Sequence, residues 1–228
     1  DYPEEFGYNT DMKNDPSNDF PNVASISNHP LIAAKLTEAR STATTPENFR
    51  KLMADITILL IYEATLFLKL KSKNIVTPLK GMIGHEIAES LALVPILRAG
   101  LIMSDVASNL LPRAPVVHIG FRRNENTLEA TNYFEAQLSD PDKTTCFVLD
   151  PMLATGGTAH NACETLERWG VNRIIYIGIV GAPEGLQFLS DHHPNIKIHL
   201  GALDSHLNEN GYIVPGLGDA GDRLFGTG

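Results

Sequence analysis

A chain of 228 residues, 43% hydrophobic and 20% charged, is long enough to bury roughly 70% of its unfolded surface around one core and short for two independent domains. Its formal net charge of −9 argues against a general nucleic-acid binder, because phosphate backbones call for clustered Lys and Arg, but it leaves room for an anionic small molecule held by a few Arg side chains and backbone N–H groups. The two cysteines, Cys146 and Cys163, lack metal or CxxC spacing and read as buried thiols in a reducing compartment; with no apolar run of about 18 residues and no signal-peptide pattern at the acidic start, no membrane is expected and a cytoplasmic location is.

In chain order, residues 1–27 read as a loosely docked polar arm, rich in Asp, Asn, Pro and Ser, and residues 28–228 as one domain. Residues 31–40 suit a short helix. Thr44-Thr45-Pro46-Glu47 looks like a helix start, with a Thr cap and Pro in the first turn. The spacing of Phe49, Leu52, Met53, Ile56, Leu59, Leu60, Tyr62 and Leu66 predicts a long core- or subunit-packing helix over 46–71. Short strands are expected over 74–78 and 81–87. The apolar run 91–97 reads as a buried strand entering a tight turn at Arg98-Ala99-Gly100. A helix over 101–111, a strand over 115–122 and an exposed hairpin or lid over 124–135 follow. The pattern then alternates: strand 145–150, helix 158–169, strand 173–180, helix 184–192, strand 196–203. Such alternation implies right-handed βαβ units, hence an α/β fold with a mainly parallel, twisted sheet flanked by helices. The tail over 208–228 is Gly-rich and without a clear period.

One loop carries most of the chemistry. The apolar strand Thr145-Cys146-Phe147-Val148-Leu149 ends in Asp150, and Pro151-Met152-Leu153-Ala154-Thr155-Gly156-Gly157-Thr158 leads into a helix. Open α/β sheets bind ligands at the carboxyl ends of their strands. A helix N-terminus offers free N–H groups and partial positive charge to a phosphate monoester, the glycines let backbone approach it, and Thr155 and Thr158 add hydroxyls. Asp150 is placed to accept hydrogen bonds from ribose hydroxyls. The loop lacks the Lys of a Walker sequence and the G-x-G-x-x-G of a dinucleotide site.

Residues Asp150 to Thr158 resemble the phosphoribosyl-pyrophosphate signature of type I phosphoribosyltransferases. Most of that class carry a second acid after the first; Pro151 stands there, as in the uracil-specific branch. Leu93-Val94-Pro95-Ile96-Leu97-Arg98-Ala99-Gly100 is similar to that branch's pyrophosphate loop. Gly120-Phe121-Arg122-Arg123-Asn124-Glu125-Asn126-Thr127-Leu128-Glu129 is similar to its basic strand and lid. Gly211-Tyr212-Ile213-Val214-Pro215-Gly216-Leu217-Gly218-Asp219-Ala220-Gly221-Asp222 is similar to its uracil-binding C-terminus. Asn28-His29-Pro30-Leu31 and Tyr62-Glu63-Ala64-Thr65 also fit, so the resemblance runs from about residue 28 to the end.

The resemblance implies the type I phosphoribosyltransferase fold with an extended lid hairpin and a C-terminal hood over the base. It implies that uracil and phosphoribosyl pyrophosphate give UMP and pyrophosphate in pyrimidine salvage. Asp150 and Arg98 are the implied catalytic groups. Arg98, Arg123, Asp150, Pro151, Met152, Leu153, Ala154, Thr155, Gly156, Gly157, Thr158 and Asp219 would bind phosphoribosyl pyrophosphate, with Arg122 the competitor of Arg123. The backbones of Ile213, Gly218 and Ala220 would read uracil, while Asp219 turns its side chain toward the sugar phosphate. Mg2+ is implied as the companion of pyrophosphate, without a dedicated protein metal site. A homodimer or homotetramer is implied, with GTP a possible effector. Two alternatives stay open: a regulator of the same fold that senses a nucleotide or phosphoribosyl pyrophosphate, and an enzyme of this class for another base. The histidines carry no assigned chemistry. His192-His193 reads as a solvated helix end, His118 as a core or interface residue, and His85, His160, His199 and His206 show no ligand spacing.

Overall fold

A computed structural model describes residues 25–119, 121–123, 130–132 and 138–227, with 121–123 and 130–132 as backbone alone. The elements in order are β1 (Ser25–Ile26), α1 (Pro30–Arg40), α2 (Pro46–Ala64), β2 (Leu70–Val76), β3 (Gly81–Ile87), β4 (Ser90–Pro95), α3 (Leu101–Leu110), β5 (Phe121–Arg123), β6 (Ala130–Asn132), β7 (Thr144–Leu149), β8 (Met152–Leu153), α4 (Gly157–Arg168), β9 (Arg173–Gly181), α5 (Pro183–His192), β10 (Lys197–Leu203), β11 (His206–Leu207), β12 (Ile213–Val214) and α6 (Ala220–Phe225). The central sheet runs β1-β10-β9-β7-β4, all parallel, and β8 extends it beside the end of β9. The mainly parallel sheet flanked by helices, expected from the alternation, is what the chain forms.

Burial follows from the two-residue period of a strand. On β7, Phe147 and Leu149 face a core shared with Phe49, Ile56 and Leu60 of α2 and Met103 of α3. Cys146 and Val148 face the other side, against Ala162, Cys163 and Leu166 of α4 and Leu186 and Leu189 of α5. With helices on both faces, β7 and β9 read as near-continuous apolar runs. Both cysteines are buried free thiols, and burial pushes each up to about 12, so they are inert packing groups.

Four sequence expectations are corrected. The helix predicted over 46–71 ends at Ala64, and the chain becomes strand β2 from Leu70. The Oγ1 of Thr65 donates to the Tyr62 carbonyl at the helix end, and Leu68-Lys69-Leu70-Lys71 alternates with period two, a strand signal hidden inside an apolar helical stripe. Within 115–122, Val116 bridges to Leu93 of β4 and Ile119 to Ile96 just past its end, and the residues from Phe121 leave for a separate antiparallel pair, β5 with β6. The tail contains α6, started by Asp219 and closed by Gly226 in the left-handed region. His193 is not solvated: it is 3% exposed. Its Nε2 meets His160 Nδ1 at 2.8 Å and its Nδ1 meets Glu167 Oε2 at 3.0 Å, which ties the end of α5 to α4.

Candidate active site

The site sits at the carboxyl ends of β4 and β7. Those strands pair in parallel register up to Pro95 and Leu149, so the residues that follow emerge side by side. After β7 comes Asp150; after β4 comes the turn holding Arg98. The Leu97–Arg98 peptide is cis. Gly100 closes the turn against the sheet, where a Cβ would collide with the Leu149 carbonyl. Arg98 is exposed at the site's edge, its guanidinium 5.7 Å from the ring centroid of Phe225.

The loop from Pro151 to Thr158 is anchored on the far side. The Pro151 carbonyl accepts from Ile179 N–H and Val180 N–H, each at 3.0 Å, and the Leu153 carbonyl accepts from Ala182 N–H at 2.9 Å. Gly156 takes φ 82°, and a Cβ there would stand 2.9 Å from both the Gly185 carbonyl and the Phe188 ring, so the turn demands glycine. No side chain caps α4. Thr155 and Thr158 are exposed, and the uncapped first turn presents N–H groups and the positive end of the helix dipole between them. That surface suits a phosphate monoester.

Asp150 follows β7 directly and opens the loop that leads to this cradle. Burial of its carboxyl pushes the pKa up to about 7, opposed by a hydrogen bond from Met152 N–H. Tyr176 lies buried near it, its hydroxyl pushed well above the ordinary range by burial first and the Asp150 charge second. A carboxylate so poised gains from any ligand that donates hydrogen bonds to its charged form.

The C-terminal segment closes the group. A turn from Asn208 to Tyr212 brings Gly211 to within 3.9 Å, at a notional Cβ, of the Thr155 methyl. β11 pairs with β12, the Val214–Pro215 peptide is cis, and Gly216 and Gly218 have positive φ. Ile213 and Ala220 are buried, while Gly218 and Asp219 are exposed. Asp219 Oδ1 accepts from Asp222 N–H at 2.9 Å and so caps α6, leaving Oδ2 for other partners.

Three of the four sequence motifs are therefore adjacent: the Arg98 turn, the Asp150–Thr158 loop and the Ile213–Ala220 segment. Arg123 lies on β5, whose side chains are outside what is described. Lid residues 124–129 and 133–137 also lie outside the described residues. Sequence reasoning missed Phe225 beside Arg98 and the pair Arg40–Asp204 behind the C-terminal segment. The Asp219 cap and Gly226 stop had signalled α6, and hence Phe225; Arg40 and Asp204 carry no local pattern. Among the described residues no group of three or more His, Cys, Asp or Glu is arranged for a metal ion. With Pro151 following Asp150, the strand end offers one carboxylate, a donor set that fits Mg2+ held mostly by phosphate oxygens and water. A cavity of about 530 Å3 opens at the opposite ends of β4 and β7, among Lys71, Glu86, Leu111 and Asp140, and shares no residue with the cradle.

A family model described as uracil phosphoribosyltransferase matches residues 26–227. A uracil phosphoribosyltransferase of Roseiflexus castenholzii is 53% identical over 203 residues, covering 89% of this chain and 98% of the relative. One from Streptococcus suis is 48% identical, covering 89% and 97%. A solved protein of Aquifex aeolicus superposes with TM-score 0.81 at 36% identity, covering 89% of this chain and 97% of that one.

Proposed function

This chain belongs to the uracil phosphoribosyltransferase family, and from that premise we propose that it transfers the 5-phosphoribosyl group of phosphoribosyl pyrophosphate to uracil, giving UMP and pyrophosphate in pyrimidine salvage. The observation that carries this reading is the uncapped start of α4, whose loop leaves β7 at Asp150 and meets the Gly211 turn at Thr155.

The N–H groups at the start of α4 and the hydroxyls of Thr155 and Thr158 hold the 5-phosphate. Asp150 accepts from the ribose hydroxyls. Arg98, joined by Arg123, donates to the pyrophosphate oxygens. The backbones of Ile213, Gly218 and Ala220 read uracil, and a base with donor and acceptor exchanged leaves buried groups unpaired at about 1–3 kcal/mol each. Asp219 turns its free oxygen toward the sugar phosphate. In the reaction the C1′–oxygen bond breaks with its electron pair leaving on pyrophosphate. Uracil N1 bonds to C1′ from the opposite face, and its proton leaves to solvent. The chain's part is alignment, charge stabilisation of the leaving group by Arg98 and electrostatic support of the ribose cation by Asp150. Mg2+ bound to pyrophosphate supplies charge neutralisation.

No helix among the described residues is long and apolar enough to cross a membrane, and two free buried thiols fit the cytoplasm. The β2–β3 hairpin supports a homo-oligomer. A two-stranded hairpin is marginal alone in water, yet this one projects Val76 at 87% and Leu79 at 95% exposure, together with Leu70, Met82 and Ile83. A second copy covering it completes the burial.

The test is direct. With Mg2+ and phosphoribosyl pyrophosphate, uracil, cytosine, hypoxanthine and orotate are offered separately, and the nucleotide is identified by mass. UMP from uracil alone is expected; nucleotide from another base alone overturns the assignment.

A further inference from the structure

We propose that the part-buried pair Arg40–Asp204 is the positioning element of the base-reading loop, setting uracil affinity without touching uracil; this rests on the reading above that the Ile213–Ala220 segment holds the base. Asp204 directly follows β10, and its side chain is 5% exposed. Its carboxylate bonds to Arg40 and to Gly216 of the loop, while its backbone N–H continues the sheet by donating to the Gly181 carbonyl at 2.8 Å. Its Oδ1 accepts from Arg40 Nη2 at 2.7 Å, and its Oδ2 accepts from Arg40 Nη1 and from Gly216 N–H, each at 2.8 Å. Arg40 Nη1 also donates to the Gly216 carbonyl at 2.8 Å. One ion pair thus holds both backbone polar groups of Gly216, which lies between Ile213 and Gly218.

A second arginine acts beside it. Arg223 donates to the Leu217 carbonyl at 2.8 Å and to the Ser41 carbonyl at 2.9 Å, and stacks 4.0 Å from the Phe49 ring centroid. The end of α1 and the start of α2 therefore act as a fixed base, and Gly216 and Leu217 are pinned to it. A buried ion pair is a weak device for stability, since an apolar replacement often serves as well. It is a strong device for geometry: the planar guanidinium forks onto a carboxylate and still has donors to spare, which a lysine cannot copy. Backbone groups that must meet a flat base edge at hydrogen-bond distance need such fixing.

The experiment compares Arg40→Lys, Arg40→Met and Asp204→Asn with the whole chain, and Gly218→Val as a change in the reading loop itself. The KM for uracil is expected to rise about tenfold or more in the Arg40 and Asp204 variants, the cost of one misplaced or unpaired group. Over the same set the KM for phosphoribosyl pyrophosphate and the kcat at saturating uracil should stay within about threefold. Lysine, which keeps the charge and the stem, should not restore the uracil KM. Should Arg40→Met fail to fold, Arg40→Lys and Asp204→Asn decide. A uracil KM within twofold of wild type in those two overturns the inference, as does a parallel rise of both KM values that tracks loss of thermal stability. Gly218→Val separates this failure from that of the underlying reading. If it raises the uracil KM while the ion-pair variants do not, the clamp is wrong and the site stands. If it too leaves the uracil KM unchanged, the base is read elsewhere.

Discussion

Replacing Asp150 by Asn should make the ligand-free protein more stable and nearly inactive. Burial pushes the Asp150 carboxyl up to about 7, against roughly 3.9 in an unfolded chain. Between those pH values the folded chain holds a proton that the unfolded chain has released. The contribution of Asp150 to stability is therefore highest below about pH 4, declines as pH rises, and levels off above about 7. At about 1.4 kcal/mol per tenfold step, the full cost of carrying this charge has a ceiling of about 4 kcal/mol. Asp150 keeps partial solvent contact, and relaxation around the charge brings the expected cost to about 2 kcal/mol. Asparagine removes the charge, keeps the shape and still offers Oδ1 to the Met152 N–H. At pH 8, Asp150→Asn should then melt about 4–8 °C higher than wild type; at pH 4.5 the gap should shrink to about half of that. Thermal scans at the two pH values and one protein concentration measure this. A variant less stable than wild type at pH 8, or a gap independent of pH, refutes the reasoning.

The same group predicts a pH dependence of catalysis. The charged carboxylate is the form that accepts from ribose hydroxyls, so kcat/KM for phosphoribosyl pyrophosphate should climb with pH through about 7 and then flatten. That limb should vanish in Asp150→Asn; its survival there assigns it to another group. Arg98→Ala should raise the KM for phosphoribosyl pyrophosphate by about tenfold to a hundredfold with an unchanged circular dichroism spectrum, and near-normal turnover removes Arg98 from its role. Val76→Asp with Leu79→Asp places charges on the most exposed apolar positions of the hairpin. Light scattering should show a smaller assembly than wild type, and an unchanged mass shows that the hairpin is not the joint.

What the sequence made legible follows from locality. The strand-to-helix turn at Asp150–Thr158 is one contiguous motif whose parts act on the same phosphate, so its chemistry could be read in a line. The buried strands β7 and β9 announced themselves as apolar runs because both faces are covered. The start of β2 was hidden because Leu66 and Leu70 keep a four-residue helical spacing while Leu66, Leu68 and Leu70 also alternate as in a strand, and pairing with β3 decides between them. His193 looked solvated beside Pro194, yet its neighbours His160 and Glu167 come from another helix. Arg40 and Asp204 are 164 residues apart. No period, cap or composition links them, and their role emerges when β10 and the end of α1 meet at the Gly216 turn.

A crystal structure with UMP tests the central claim most directly. The account predicts the 5-phosphate against the backbone N–H groups at the start of α4, between Thr155 and Thr158. It predicts the ribose hydroxyls on Asp150 and the uracil edge against Ile213, Gly218 and Ala220. UMP bound in any other place, with the start of α4 free of phosphate, contradicts it.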